Sequence, residues 1–347
     1  IWAEMGLNYN GLSQGMRDAT QQVRAFDREM ESTFKAISQN ISDSLSEAGR
    51  SLSIGITVPL TAAGGFAAKL SADFETAMAN VWTITDISRQ ELQGLGREVE
   101  ALSTRVPQSA KQLADGLYDA ISSGIRDVGD AIGVVEIAAK AAQAGMSETA
   151  TAVDALTSVL NAYSMAADQA GNITDIMFRT VDRGKITFGE LAGSIGQVVS
   201  TAATANVAFE EVAAAYATLT RGGIGAAEAS TAVNQAILSI INPSQQAADY
   251  AKQLGIEFNA TTLASKGFAG VLEDIYQATG GNIEAISTLF PNVRALKGVL
   301  GLVRNEMQDY TSDLEQMAMA TGATEAAFAK QMETSAAKSQ LFKNEVA

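Results

Sequence analysis

The sequence predicts an all-α protein, a multi-helix assembly of helical hairpins with long amphipathic or coiled-coil helices at its ends. Three observations carry this. First, Ala-rich apolar runs end repeatedly at Gly or Asn followed by an aliphatic residue, at Gly124-Ile125, Gly145-Met146, Asn206-Val207, Gly223-Ile224 and Gly255-Ile256. Gly, or more rarely Asn, takes the left-handed conformation after a last helical turn, and the next apolar side chain packs back on that turn. Second, Asp127, Ser147 and Asn259 follow three of these junctions, where a side-chain oxygen caps the free N–H groups of the next helix. Third, aromatic residues make up only 6% of the chain and there are 4 prolines, so the core is built from small and aliphatic side chains with few obligatory breaks.

Residues 1–51 read as an amphipathic or coiled-coil helix. Leu12, Met16, Val23, Phe26 and Met30 follow steps of four and three, and the spacing slips by one extra step at Phe34, Ile37 and Ile41. Packing on its own domain and self-association about a shared axis fit this seam equally. Residues 52–70 are nearly uncharged and close to a membrane span in length, with Ile54, Ile56, Val58, Leu60 and Phe66 as the apolar members of a membrane segment. Pro59, Gly64 and Gly65 favour a buried hinge over insertion, since the transfer gain of so many small side chains is slight.

Residues 71–320 carry the junctions and read as the helical core. Within them Thr151-Ala152-Val153 through Asn161 echoes Thr231-Ala232-Val233 through Asn242, pointing to a duplicated helix pair. Residues 321–347 continue as a further long helix, with Ala327, Phe328, Met332, Ala336, Phe342 and Val346 along one face, leaving the core and running beyond the fragment. The chain opens without Met and closes in mid-pattern, as a piece of something longer does.

Composition also bounds function. Lys+Arg number 24 against 39 Asp+Glu, a formal net charge of -15, which disfavours direct nucleic-acid binding. With no Cys and no His, disulfides, thiolate chemistry and the commonest general base and metal ligand are gone. Ser32-x-x-Lys35 and Ser335-x-x-Lys338 match an acyl-transfer pattern without its companion motifs, and Arg221-Gly222-Gly223-Ile224 reads as a helix hairpin rather than a phosphate cradle. Asp182-Arg183-Gly184-Lys185 reads as a solvated mixed-charge turn. Glu98 and Glu100 point to different faces of a helix, and Met146, Met165 and Met177 sit at apolar positions as gap-fillers. No catalytic residue, cofactor site or metal site is nominated.

Taken in order, Leu117-Tyr118-Asp119-Ala120, Ser122-Ser123-Gly124-Ile125, Ala141-Ala142-Gln143-Ala144-Gly145, Leu160-Asn161-Ala162-Tyr163, Thr180 through Leu191, Ala217 through Ile224 and Asn242-Pro243-Ser244 resemble the core region of bacteriophage tail tape measure proteins. The likeness covers roughly Ser71 to Glu257. Thr57-Val58-Pro59-Leu60-Thr61 looks like the family's lead-in, and Ser200 stands where the family often has proline, a departure expected to straighten a helix boundary. The resemblance implies a non-enzymatic, multi-copy structural protein of the virion, made in the host cytoplasm and placed in the tail lumen. There it templates tube assembly, sets tail length and is released before DNA ejection. Implied partners are itself as trimer or hexamer, the tail tube protein, tail-tip or baseplate hub proteins and tail assembly chaperones. An acidic surface would let DNA pass the same lumen. A membrane-active conduit segment for genome delivery, with the host membrane as partner, and a helical adaptor unrelated to phage are the alternatives.

Overall fold

The computed structural model describes residues 59–346, with side chains from Ser71 to Glu345. Leu12, Met16, Val23, Phe26, Met30, Phe34, Ile37, Ile41, Ile54, Ile56 and Val58 lie outside the described residues, as do the side chains of Leu60 and Phe66. The chain divides into two units, Ile1–Gly65 and Phe66–Ala347, and the described side chains all belong to the second.

The described residues are helices joined by short turns, with no strand among them. Pro59 opens the first helix, α1 (Pro59–Thr83), where its missing N–H costs nothing and its fixed φ suits the first turn. The run 59–70 is thus continuous helix rather than a break at Gly64 and Gly65. Then come α2 (Arg89–Ser103), α3 (Ala110–Ser122), α4 (Val128–Gly145) and α5 (Thr149–Ala162), followed by α6 (Ala170–Arg183), α7 (Phe188–Thr204), α8 (Phe209–Arg221) and α9 (Ala226–Ile241).

Four of the five junctions close as the sequence predicts. Gly124, Asn206, Gly223 and Gly255 have φ of 112°, 57°, 94° and 73°. The aliphatic N–H that follows each returns to the carbonyl five residues back, as Val207 to Ala202 at 2.8 Å and Ile256 to Ala251 at 2.9 Å. At the fifth, the left-handed residue is Met146, not Gly145. Gly145 is instead the last helical residue, and a Cβ there would lie 2.5 Å from Phe188 Cβ, so close approach of two helices requires the glycine. Displaced onto the turn, Met146 is 87% exposed and fills no core gap, whereas Met177 is buried and Met165 packs partly against the core.

Asp127 and Asn259 cap as predicted, accepting from Asp130 N at 3.0 Å and Thr262 N at 2.9 Å. Ser147 does not cap; Glu148 takes the N-cap position of α5 without a side-chain bond, because the turn after Gly145 is one residue longer than read. Ser200 lies inside an unbroken α7, with its carbonyl accepting from the Thr204 hydroxyl.

The core centres on α8, in which every residue from Glu211 to Thr220 is buried. Its Ala213, Ala214, Ala215 and Ala217 leave room for neighbours on all sides, since a helix with small side chains lets partner backbones come close. The two echoing segments, in α5 and α9, both pack against α7. After α10 (Gln245–Gln253), the long α11 (Ala260–Thr279) is kinked at Gly267, with φ 73° and ψ 177°. Next follow α12 (Ile283–Leu289), α13 (Val293–Val303) and a 3-10 turn, Arg304–Met307.

The final segment departs from expectation. In place of one long helix over 321–347 leaving the core there are two, α15 (Ala323–Met332) and α16 (Ser335–Val346), preceded by α14 (Gln308–Ala318). They fold back: α14 lies against α8 and α6, α15 against α4 and α6, and α16 reaches α2. Of the apolar face read from the sequence only Phe328 is buried by this return; Ala327 and Met332 are half-buried, Ala336 and Phe342 are exposed, and in α16 the buried residue is Ala337 instead.

Candidate functional site

The returning segment is fastened by polar groups that no local motif announces. On α14, Asp313 sits between Tyr310 and Met317 at helical spacing, so the face that buries those two also buries the carboxylate, which is 0% exposed. Its Oδ1 accepts from Arg183 Nε at 2.9 Å and Arg221 Nη1 at 3.0 Å. Its Oδ2 accepts from Arg221 Nη2 at 2.7 Å and the Thr218 hydroxyl at 2.7 Å. One anion thereby ties the last turns of α6 and α8 to α14. Arg221 also donates to the Arg183 carbonyl at 2.8 Å, and its pKa is raised, chiefly by the hydrogen bond to Asp313. Arg183, half-buried, therefore belongs to the ion-pair network around the buried Asp313 rather than to solvent alone, while Asp182 and Lys185 of the same turn are exposed as the sequence predicts, Asp182 pairing with Arg179.

Two further ties repeat the theme. Asp175 of α6 accepts from Gly322 N at 2.6 Å and Thr324 N at 2.9 Å, capping α15 from a distant helix. Asn344 of α16 donates to the carbonyls of Ser103 at 2.9 Å and Gln108 at 2.8 Å. At the base of α14, Tyr310 donates its hydroxyl to the Glu211 carbonyl at 3.1 Å, and burial drives its pKa well above the usual value. The Glu211 carboxylate in turn accepts from Ala208 N at 3.1 Å and Ala269 N at 2.9 Å, and it occupies the space a side chain at Gly267 would need.

Chemically, these groups are holders. The Asp313 oxygens are filled by three cationic N–H donors and a hydroxyl, leaving no lone pair directed at an open cavity, as a general base needs. Ser335 and Lys338 stand exposed at the start of α16, Ser32 and Lys35 lie outside the described residues, and Glu98 and Glu100 are exposed on α2. Gly223 forms a helix junction, and its neighbour Arg221 is spent on Asp313. Among the described residues no group of acidic side chains is placed to hold a metal ion, and no helix is long and apolar enough to cross a membrane.

Two surface features remain. A shallow groove of about 380 Å³ is lined by Asp119, Ser122, Ser123, Ala150, Thr151 and Asp154. Partial burial, with the fields of Asp115 and Asp154, raises the Asp119 pKa. On another side Ile283 and Val293, the first residues of α12 and α13, are 63% and 77% exposed, and Asn292 Nδ2 anchors the start of α13 to Gln235 on α9 at 3.2 Å.

Sequence reading could have found Asp313 from the 310–313–317 spacing alone, because an acid in step with buried apolar neighbours must meet a partner inside. Asp175 and Asn344 offered no such signal, since their partners are backbone groups far along the chain.

Residues 96–290 match the model of a family described as phage-related minor tail protein. The chain is 30% identical over 346 residues to the "Probable tape measure protein" of Clostridium phage phiCD119, covering 95% of this chain and 36% of that protein. It is 24% identical over 261 residues to the "Tape measure protein" of Pneumococcus phage Dp-1, covering 74% of this chain and 22% of that one. The chain thus spans well under half the length of both curated relatives. No solved structure matches it. With more than half of its residues inside the family match, including the junctions at Gly124, Gly145, Asn206, Gly223 and Gly255 and both arginines that hold Asp313, the chain belongs to the phage-related minor tail protein family.

Proposed function

We propose that the chain is a segment of a tape measure protein, a multi-copy protein of the phage tail lumen around which the tube assembles and whose length sets tail length, released before DNA ejection. The observation that carries this reading is the similarity to two proteins named tape measure, one of them along 95% of the chain. Self-association as trimer or hexamer, and contacts with the tail tube protein, tail-tip or baseplate hub proteins and assembly chaperones, belong to the same reading, as does weak interaction with DNA from the net charge of -15.

Within this reading the segment has a particular part, which its folding back supports. Drawn out as one helix, 347 residues would reach roughly 520 Å, whereas α1, the longest described helix at 25 residues, reaches about 38 Å. Helices folded back on one another do not measure length. The segment from Phe66 onward is therefore the compact part, and the ruler lies in helical sequence elsewhere in the parent protein. Tail length by electron microscopy tests this. Helical residues inserted in frame just downstream of Ala347 should lengthen tails by about 1.5 Å each, while the same insertion in the exposed turn at Gly222-Gly223 should leave length unchanged. Tails indifferent to the first insertion would refute the assignment of the ruler.

A further inference from the structure

We propose that residues 308–346, the strap formed by α14, α15 and α16, exchange between two copies of the chain, each strap docking on the other copy's α8, α6 and α4. This rests on the reading that the chain self-associates.

The first support is the reversal that precedes the strap. Asn305, Glu306 and Met307 have φ of 54°, 56° and 62°, three consecutive left-handed residues, none of them glycine. Such a conformation disfavours every residue with a Cβ, and it persists only where surrounding structure imposes it. The local sequence prefers something else: from Leu302 to Thr321 there is no Gly or Pro, and Arg304, Glu306 and Met307 are good helix formers. Freed from the fold, α13 and α14 would join into one helix from Val293 to Ala318, about 39 Å long.

The second support is what holds the reversal. Asp313 binds Arg183 of α6 and Arg221 of α8, Asp175 of α6 caps α15, Asn344 binds carbonyls at and after the end of α2, and Tyr310 binds the Glu211 carbonyl. An opened single copy would expose the strap's apolar face, leave Asp313 without its partners and uncover the buried wall of α8. A pair of opened copies would not. The vacated face of each is complementary to the strap of the other, so exchange restores the ties of Asp313, Asp175, Asn344 and Tyr310 while the strained reversal becomes regular helix; of the ion pairs only Arg304–Asp309, which spans the reversal, is given up. Only association entropy opposes it, and a multi-copy assembly raises effective concentration enough to offset that. Short hinges under strain are where such exchange occurs.

The absence of native cysteine makes the test clean. Lys140 on α4 and Glu325 on α15 form a surface ion pair at 3.2 Å. The 347-residue chain carrying Lys140→Cys is mixed with the chain carrying Glu325→Cys, refolded at high concentration and treated with a short thiol cross-linker. A covalent dimer of the two is expected. Asn305→Ala, which adds strain to the reversal and favours helix, should increase its yield about five- to tenfold. Asn305→Gly with Glu306→Gly, which removes the strain, should decrease it. If the double-cysteine chain cross-links within itself and the mixed chains give no dimer even with Asn305→Ala, the proposal is wrong. A cross-link indifferent to the residue-305 variants also overturns it. Oligomers seen by light scattering without the 140–325 cross-link would leave self-association standing and remove the exchange.

Discussion

Asp313→Ala is the substitution with the clearest consequence. The carboxylate is fully buried and receives four hydrogen bonds, three of them from guanidinium groups. Removing one partner of a buried ion pair costs about 3–5 kcal/mol, because the charge left behind has lost its compensation. Here the arginines are not sealed in: the side chains of Arg183 and Arg221 are 35% and 36% exposed. Water can recover much of their solvation, so the expected loss falls to about 2–3 kcal/mol, part of it from the unpaired Thr218 hydroxyl. Urea unfolding of the 347-residue chain, followed by circular dichroism, reads this as a lower midpoint at unchanged slope. A double-mutant cycle with Arg221→Ala should return a coupling of at least about 1 kcal/mol. A loss below about 0.5 kcal/mol, or a cycle that closes to zero, would show that the network contributes nothing to holding the strap.

Gly145→Ala should destabilise by about 1–3 kcal/mol through overlap with Phe188, whereas Met146→Gly, which relieves a left-handed φ at an exposed position, should stabilise by roughly 0.5–1 kcal/mol; thermal melts of both variants check the reassigned junction. Asp175→Ala should cost about 1–2 kcal/mol and expose the turn at Gly322 to protease before the rest of the chain. Because the folded-state pKa of Asp119 is raised, its ionised form opposes folding at neutral pH, and that penalty disappears as pH falls through the folded pKa. Asp119→Asn should accordingly raise stability at pH 7 by less than about 1 kcal/mol, with the difference shrinking in acid. Glu91 and Glu190 are shifted the other way by hydrogen bonds from Ser88 and Thr187 at helix starts. Their contribution is present above the ordinary carboxylate pKa and is lost as pH falls through the lowered value, so Glu190→Gln should flatten the acid limb of a stability–pH curve.

Local chemistry made the helices legible. A left-handed residue followed by an aliphatic one is a complete instruction for ending a helix, and at Gly124, Asn206, Gly223 and Gly255 nothing from elsewhere in the fold contradicts it. At Gly145 a distant residue does: Phe188 needs the space, the glycine serves as a contact surface, and the turn moves one residue onward to Met146 with Ser147 and Glu148 following. Ser164-Met165 is a junction of the same kind without a sequence signal, since φ of 51° at serine is uncommon enough that no sequence rule expects it. Residues 321–347 depart from the sequence expectation for a related reason. Periodicity picked out Phe328 but not Ala337, and it says nothing of where the segment goes; the partners deciding that, Arg183, Arg221, Asp175 and the carbonyls after α2, lie 92 to 241 residues away.

The position of α8 has a mechanical consequence. It is enclosed in space and also lies midway along the unit from Phe66 to Ala347, with peripheral helices on either side in sequence. Tension applied from the C-terminal end would peel α16, then α15, then α14, meeting one polar tie at a time, before any load reached the centre. Tension from the other end would first strip α1 and then α2. Either way the load reaches the enclosed helix only midway, so a chain drawn through a narrow passage would unravel in order from its leading end, with the greatest resistance arriving when half of the unit has already been stripped. Drawing the chain through a pore from each terminus in turn would record that order as two different sequences of early steps that share a central barrier.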